Sequence, residues 1–286
     1  MPPRLARVRE VEDLRRVLAR WRRKGERVAF VPTMGALHEG HRSLMRQARR
    51  SAPRVVVSIF VNPLQFGPSE DLAKYPRPGA RDRRLLGEEQ IDLLWEPRLE
   101  DVYPPGDRTR VQVTGLSEML EGASRPGHFV GVTTVVLRLL SAVQPDILWL
   151  GQKDAQQALI LERMCADLLL PVKIRRGATV RASDGLALSS RNAFLDPRQR
   201  QQAVALSQGL ASARAMLTAG ERSAARVLSA VREELTCYPL VRPDYVALVD
   251  AATLEPVRTV RGRVLLAIAA RVGRTRLIDN FEWSPR

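Results

Sequence analysis

The stretch Val55-Val56-Val57-Ser58-Ile59-Phe60-Val61 is β-branched and apolar on both faces. Such a strand must be covered on both sides, the situation of a central strand in a parallel sheet wrapped by helices. Short apolar runs of the same kind recur at residues 27–32, 91–95, 146–150 and 172–174. Between them, residues 41–50, 132–143 and 155–169 place apolar side chains at helical spacing. This alternation predicts an α/β fold with a doubly wound, Rossmann-like parallel sheet. Composition shifts near Ser183-Asp184-Gly185. Helical segments follow over 197–219 and 223–235, then strand-like runs at 245–249, 264–269 and 274–279. Helices followed by strands predict a smaller C-terminal α+β domain. The expected division of the 286 residues is 1–182 and 183–286, with the boundary near 180–186.

Hydrophobic residues make up 45% of the chain, enough for an ordinary core, so whole-chain disorder is excluded. No apolar run reaches the roughly 18 residues of a spanning helix, and no membrane partner is expected. The start, MPPRLARVREVEDLRR, is charged throughout and lacks the apolar centre of a secretory signal. Cys165 and Cys237 stand far apart and read as ordinary thiols of a reducing compartment, which makes the cytoplasm the expected location. The formal charge is +15. That excess points first to nucleic acid, but the cations are nearly all Arg, with Lys only at 24, 74, 153 and 173. They are also dispersed, apart from pairs such as Arg49-Arg50 and Arg175-Arg176. A nucleic-acid footprint concentrates charge on one face or arm, whereas scatter fits a general Arg bias equally well. Charge alone decides nothing.

In open parallel sheets, ligands gather at the carboxyl ends of the strands. The first apolar run leads into Pro32-Thr33-Met34-Gly35-Ala36-Leu37-His38-Glu39-Gly40-His41. Neither the dinucleotide fingerprint nor the P-loop is present. Instead, two imidazoles three residues apart share one face of a helix start, beside free backbone N–H groups suited to phosphate. Gly40 removes a side chain where a ligand would come close. A bare HxxH is more often a pair of unrelated surface histidines, yet the chain has three histidines and two fall here. The next run ends in Asn62-Pro63-Leu64-Gln65, two amides that orient a ligand or simply make a polar turn. Gly151-Gln152-Lys153-Asp154 puts a lysine at another strand end, a phosphate ligand or one half of a surface Lys–Asp pair. Leu188-Ser189-Ser190-Arg191-Asn192 reads as a phosphate clamp on a loop, or as a helix cap. Together the four motifs make a polyphosphate site without a P-loop.

The segments MGALHEGH, FVNPLQF with EDLAKYPR, RPGHFVGV, GQKDAQQ and DGLALSSRN resemble the pantoate–β-alanine ligase (pantothenate synthetase) family. The resemblance is dense over residues 28–196 and continues more weakly to the closing TRLIDN. It implies an HxGH nucleotidyltransferase fold. The implied activity condenses (R)-pantoate with β-alanine, giving pantothenate, AMP and pyrophosphate through a pantoyl adenylate. It implies catalytic roles for His38, His41, Lys153, Ser189, Ser190 and Arg191, with His41 as proton donor to the phosphates. The ATP contacts it implies are Met34, Gly35, Ala36, Leu37, His38, Glu39, Gly40 and His41. Gly151, Gln152, Lys153, Asp154, Val180, Leu188, Ser189, Ser190 and Arg191 complete that set. Gln65 and Gln157 would hold pantoate, Gln65 also lying near β-alanine, and Asn62 and His128 would line the acyl site. Mg²⁺ would bridge ATP phosphates rather than sit in a protein cage. The family is commonly dimeric, so a homodimer is expected. Departures from the family pattern are Arg42, Val130 and Ala155, none at a residue given chemistry.

Two other readings compete. A fragment of another adenylate-forming nucleotidyltransferase, such as a tRNA synthetase, would use the positive charge on RNA. About 100 residues after the serine loop leave little room for an anticodon-binding domain, and no Cys/His cluster is present. A basic RNA-binding protein without enzymatic activity would leave His38, His41, Lys153 and the glutamines unexplained. Small-molecule substrates, and no nucleic acid, are therefore the expected partners.

Overall fold

The computed structural model describes residues 5–67 and 72–285. Of the EDLAKYPR segment, Glu70 and Asp71 lie outside these residues. The chain divides into two compact units. The first comprises Met1–Ser117, Arg125–Gly151 and Gln156–Ala178, and the second Glu118–Ser124, Gln152–Ala155 and Thr179–Arg286.

The first unit carries a six-stranded sheet built from β1 (Ala6–Val8), β2 (Val28–Thr33), β3 (Arg54–Ile59), β4 (Leu93–Trp95), β5 (Ile147–Gly151) and β6 (Lys173–Gly177). The spatial order is β1-β4-β3-β2-β5-β6, with every pairing parallel. Its helices are α1 (Val11–Arg23), α2 (Glu39–Ser51), α3 (Gly79–Glu88), α4 (Leu99–Val102), and, beyond the short α5 (Glu121–Ser124) of the second unit, α6 (His128–Val143) and α7 (Ala155–Asp167). Alternation along β2 explains the layering. Val28 and Phe30 face a core shared with Leu14 and Leu18 of α1, Val136 of α6 and Leu161 of α7. Ala29 and Val31 face the opposite core with Met45 and Ala48 of α2 and Leu86 of α3. A strand that must satisfy two cores has no room for an alternating polar face, which is why β2 and β3 read as unbroken apolar runs.

After β2 the chain passes to β3 on one side, whereas β5 and β6 lie on the other. The order therefore reverses between β2 and β5, and such a switch point opens a crevice at the carboxyl ends of the strands. The segment after β2 is the HxGH motif.

The second unit carries a three-stranded antiparallel sheet, β7 (Val241–Asp250), β8 (Val264–Val272) and β9 (Thr275–Trp283), with β8 central. Leu206, Leu210 and Leu217 of α9 (Ala205–Thr218) and Val227, Val231 and Leu235 of α10 (Ala224–Thr236) pack on Val246, Leu266, Ile268 and Phe281 of the sheet. Residues 197–219 form two helices rather than one, α8 (Pro197–Ala203) and α9, separated at Val204. Ser183-Asp184-Gly185 is the tip of a hairpin closed by Ala182 N–H donating to the Leu186 carbonyl at 2.9 Å, with Gly185 at φ 87°.

Arg42 has a visible use. It pairs with Glu89 at the end of α3, which also receives Arg46, so two guanidiniums of α2 converge on one carboxylate. Burial pushes the Glu89 carboxyl up, but the hydrogen bonds from Arg46 and Arg42 outweigh it and hold the group below its ordinary value. A depressed folded-state pKa stabilises above the unfolded value of about 4.3 and loses that contribution as pH falls through the folded one. Glu89→Gln is therefore expected to lower stability by about 1 kcal/mol at pH 7. The deficit should shrink below about pH 4, as read from urea midpoints across pH. A deficit unchanged down to pH 3 would contradict the ionic origin.

Candidate active site

β2 ends at Thr33, whose hydroxyl donates to the Ser58 carbonyl at 2.8 Å and accepts from Gly35 N–H at 3.2 Å. The chain then turns through two left-handed residues, Gly35 (φ 82°) and Ala36 (φ 50°), before α2 begins. For alanine this conformation is strained. Asp82, buried to 1% exposure in α3, holds it in place: its two carboxylate oxygens accept from Ala36 N–H and Leu37 N–H, both at 2.9 Å.

His38 is the N-cap of α2. Its Nδ1 accepts from Gly40 N–H at 3.1 Å, and Nδ1 of His41 accepts from His38 N–H at 3.3 Å, so the two imidazoles form a reciprocal capping box. Backbone N–H groups only donate, so in each neutral ring the proton sits on Nε2. The ring centroids are 4.1 Å apart. A Cβ on Gly40 would stand 2.9 Å from the His38 ring, which explains the glycine between the histidines. Capping and ligand binding are therefore not alternatives here, because the cap uses the Nδ1 atoms and not Nε2.

Beyond β3, Asn62 Nδ2 donates to Gln65 Oε1 and to the Gly131 carbonyl, each at 3.1 Å. Gln65 sits on a single 3-10 turn (Pro63–Gln65), and its carbonyl lies 2.8 Å from His128 Nδ1. Arg125 lies 3.0 Å from His128 Nε2, and a guanidinium only donates, so His128 Nδ1 carries the proton given to Gln65. Thus His128 is buried and fixes the Gln65 backbone. The turn lies directly on α6: a Cβ at Gly131 would be 2.3 Å from the Leu64 oxygen and 2.6 Å from Gln65 N. Both are backbone atoms that cannot swing aside. Gly131→Ala is expected to cost about 1–3 kcal/mol by overpacking and, by displacing the Gln65 turn, to raise the KM of any ligand that Gln65 contacts. Denaturant midpoints and initial rates check this, and a fully stable variant with unchanged KM would contradict it. Of the two glutamines opening α7, Gln156 is buried and donates to the Leu116 carbonyl at 2.9 Å, while Gln157 is half-buried.

In the second unit, Gln152 Nε2 donates to Glu282 at 3.1 Å, and Asn280 Nδ2 donates to the Lys153 carbonyl at 2.7 Å, so β9 fixes the backbone that carries the lysine. Arg181 grips the buried Asp279 through two hydrogen bonds, at 2.5 and 3.0 Å. Val180 and Leu188 are paired, Leu188 N–H donating to the Val180 carbonyl at 2.9 Å. The Ser189 hydroxyl caps the 3-10 turn Ser190–Phe194 by accepting from Arg191 N–H at 3.2 Å. Asn192 ties the same loop to the Ala187 carbonyl at 3.0 Å.

Thus the first unit brings together His38 with His41, and Asn62 with Gln65 and His128. The second holds Gln152, Lys153, Val180, Leu188, Ser189, Ser190 and Arg191. The supports Arg125 and Gly131 lie in the RPGHFVGV segment, and Asp279 and Asn280 in TRLIDN, but none of the four has a role in the sequence reading, and Asp82 lies outside every such segment.

Residues 6–282 match the family model described as pantoate–β-alanine ligase. The pantothenate synthetase of Moorella thermoacetica is 53% identical over 270 residues, covering 94% of this chain and 95% of that protein. A crystal structure of the Thermus thermophilus pantothenate synthetase superposes with a TM-score of 0.94 at 48% identity, covering 98% of this chain and 100% of the other. The Francisella tularensis pantoate–β-alanine ligase, solved in complex with β-γ ATP and β-alanine, gives a TM-score of 0.78 at 31% identity, with 97% of each chain covered. Carried by sequence and architecture over nearly its whole length, the chain belongs to the pantoate–β-alanine ligase family.

Proposed function

We propose that the chain catalyses the ATP-dependent condensation of (R)-pantoate with β-alanine. The observation that carries this reading is the pair of imidazoles that cap α2 through Nδ1, beside the switch point of a parallel sheet. In the first half-reaction a pantoate carboxylate oxygen attacks the α-phosphorus of ATP. The bond to the bridging oxygen breaks and pyrophosphate leaves. In the second, the neutral amine of β-alanine attacks the acyl carbon, AMP departs with its oxygen, and the amine loses a proton. A carboxylate is a poor acyl donor and an adenylate a good one, so the enzyme must align two anions and stabilise charge growing on phosphate.

In this reading His41 and His38 donate from Nε2 to phosphate oxygens, and Lys153 and Arg191 add positive charge. Ser189 and Ser190 contribute hydroxyl donors. Met34, Gly35, Ala36, Leu37, Glu39, Gly40, Gly151, Gln152, Asp154, Val180 and Leu188 complete the ATP contacts. Gln65 and Gln157 orient pantoate, Asn62 supports Gln65 from behind, and His128 holds the backbone of that turn. Mg²⁺ would arrive with the phosphates of ATP and supply positive charge there, and no step above is routed through it. No helix among the described residues is long and apolar enough to cross a membrane. A cytoplasmic homodimer acting on small molecules, without nucleic acid, completes the proposal, as does residues 183–286 acting as a lid over ATP. Solution scattering that is identical with and without a non-hydrolysable ATP analogue would count against the lid.

The test is purified protein with ATP, Mg²⁺, D-pantoate and β-alanine, scored for AMP and pantothenate. Pyrophosphate exchange that depends on another carboxylic acid and not on pantoate would overturn the assignment.

A further inference from the structure

An amide side chain has two faces, one donating and one accepting, and a substrate contact depends on which is turned outward. The surroundings of Gln65 settle this without reference to any ligand. Asn62 is 1% exposed, and each end of its amide meets a group whose role is fixed. Leu64 N–H, which only donates, lies 3.3 Å from Oδ1, and the Gly131 carbonyl, which only accepts, lies 3.1 Å from Nδ2. Asn62 Nδ2 is therefore the donor to Gln65 Oε1. The NH₂ of Gln65 is left for the opposite side.

One further group meets Asn62. The Tyr103 hydroxyl lies 2.7 Å from Oδ1, where it must donate, because Oδ1 has no proton to give. The ring that carries it is clamped. The Arg138 guanidinium lies 4.8 Å from its centroid while donating to the neighbouring Val102 carbonyl at 2.5 Å, and Phe60 packs at 6.1 Å. Burial pushes the Tyr103 phenol up to about 12, so its proton stays in place at working pH.

We propose that Tyr103 is a positioning residue that holds the Gln65 side chain in place through Asn62. Leu64 N–H and the Gly131 carbonyl set which way the Asn62 amide faces, the Tyr103 hydroxyl pins its oxygen, and Asn62 in turn presents the Gln65 NH₂ as a donor to an acceptor oxygen of pantoate. The inference rests on the reading of Gln65 as a pantoate contact. Without the Tyr103 hydroxyl, one lone pair of a buried carbonyl is unpaired, and the Asn62 side chain that carries Gln65 is held less firmly. The chain Tyr103–Asn62–Gln65 lies wholly within the first unit.

Tyr103→Phe removes one oxygen and keeps the ring. It is expected to raise the KM for pantoate about tenfold, the scale of one hydrogen bond. The KM for ATP should stay within about twofold, and the melting temperature should fall by only a few degrees. Those values separate positioning from general loss of structure. The decisive measurement is a double-mutant cycle with Gln65→Ala. If Tyr103 acts through Gln65, the double variant has the pantoate KM of Gln65→Ala alone. An unchanged pantoate KM in Tyr103→Phe, or fully additive effects in the cycle, overturns the inference while leaving the functional reading intact. Absence of pantoate-dependent AMP formation by the unmodified protein would overturn the functional reading and this inference with it.

Discussion

His41→Ala is expected to reduce pantoate-dependent adenylate formation by about 10²–10³-fold, the scale for removing a donor aimed at developing charge. The readout is isotopic exchange between pyrophosphate and ATP. The substitution alone is ambiguous, because His41 Nδ1 also caps α2 by accepting from His38 N–H. His41→Gln resolves this. Glutamine at this third helical position is a preferred capping-box partner, so its Oε1 can accept the same N–H. Its amide does not reproduce the position or acidity of the Nε2–H group. We therefore expect His41→Gln to melt near the unmodified protein and still lose most of the rate. Both variants working within a few-fold of the unmodified protein would remove His41 from the chemistry. If only His41→Gln were active, the cap would be the residue's main contribution.

The sheet and the HxGH segment were legible because their constraints are local. β2 and β3 face two cores at once, so their apolar runs are continuous, and Gly40 is needed by its immediate neighbours. Two early elements escaped for different reasons. β1 has three residues at the sheet edge, with Ala6 and Arg7 exposed, so no periodicity could develop. α1 does place Val11, Leu14, Val17, Leu18 and Trp21 on one face, but seven arginines and acids among thirteen residues mask the stripe as a charged segment. α3 opens with Pro78-Gly79, a pair that reads as a turn. Losing α3 also lost Asp82.

The same distinction explains the site. The residues proposed to face the ligand cluster in sequence at strand ends, whereas those that hold them come from distant elements. Asn280 secures Lys153 from 127 positions away, and Asp82 secures Leu37 from 45. No spacing within a motif encodes such pairs. The Arg excess has a comparable answer. Arg42, Arg46, Arg54, Arg98, Arg181 and Arg276 all engage carboxylates, so much of the charge that first resembled a nucleic-acid footprint is used in holding elements together.

Asp82→Ala is expected to be the most damaging substitution outside the residues proposed to face ligand. It leaves Ala36 N–H and Leu37 N–H without their acceptor, at about 1–3 kcal/mol for each buried donor, or about 2–6 kcal/mol together. The left-handed turn at Gly35 and Ala36 then loses what holds it. Relaxation of that turn shifts the start of α2 and both imidazoles with it. A displacement near 1 Å at a reacting group costs about 10²-fold in rate. Asp82→Asn should fall between the two, because its amide keeps one accepting oxygen but turns an NH₂ toward the other N–H. The order Asp, Asn, Ala should therefore appear in both denaturant midpoint and exchange rate. Measured below the temperature at which the weakest variant unfolds, the rate loss must persist in folded protein if Asp82 positions the histidines. A folded Asp82→Ala with the full exchange rate would show that the helix start keeps its geometry without this carboxylate.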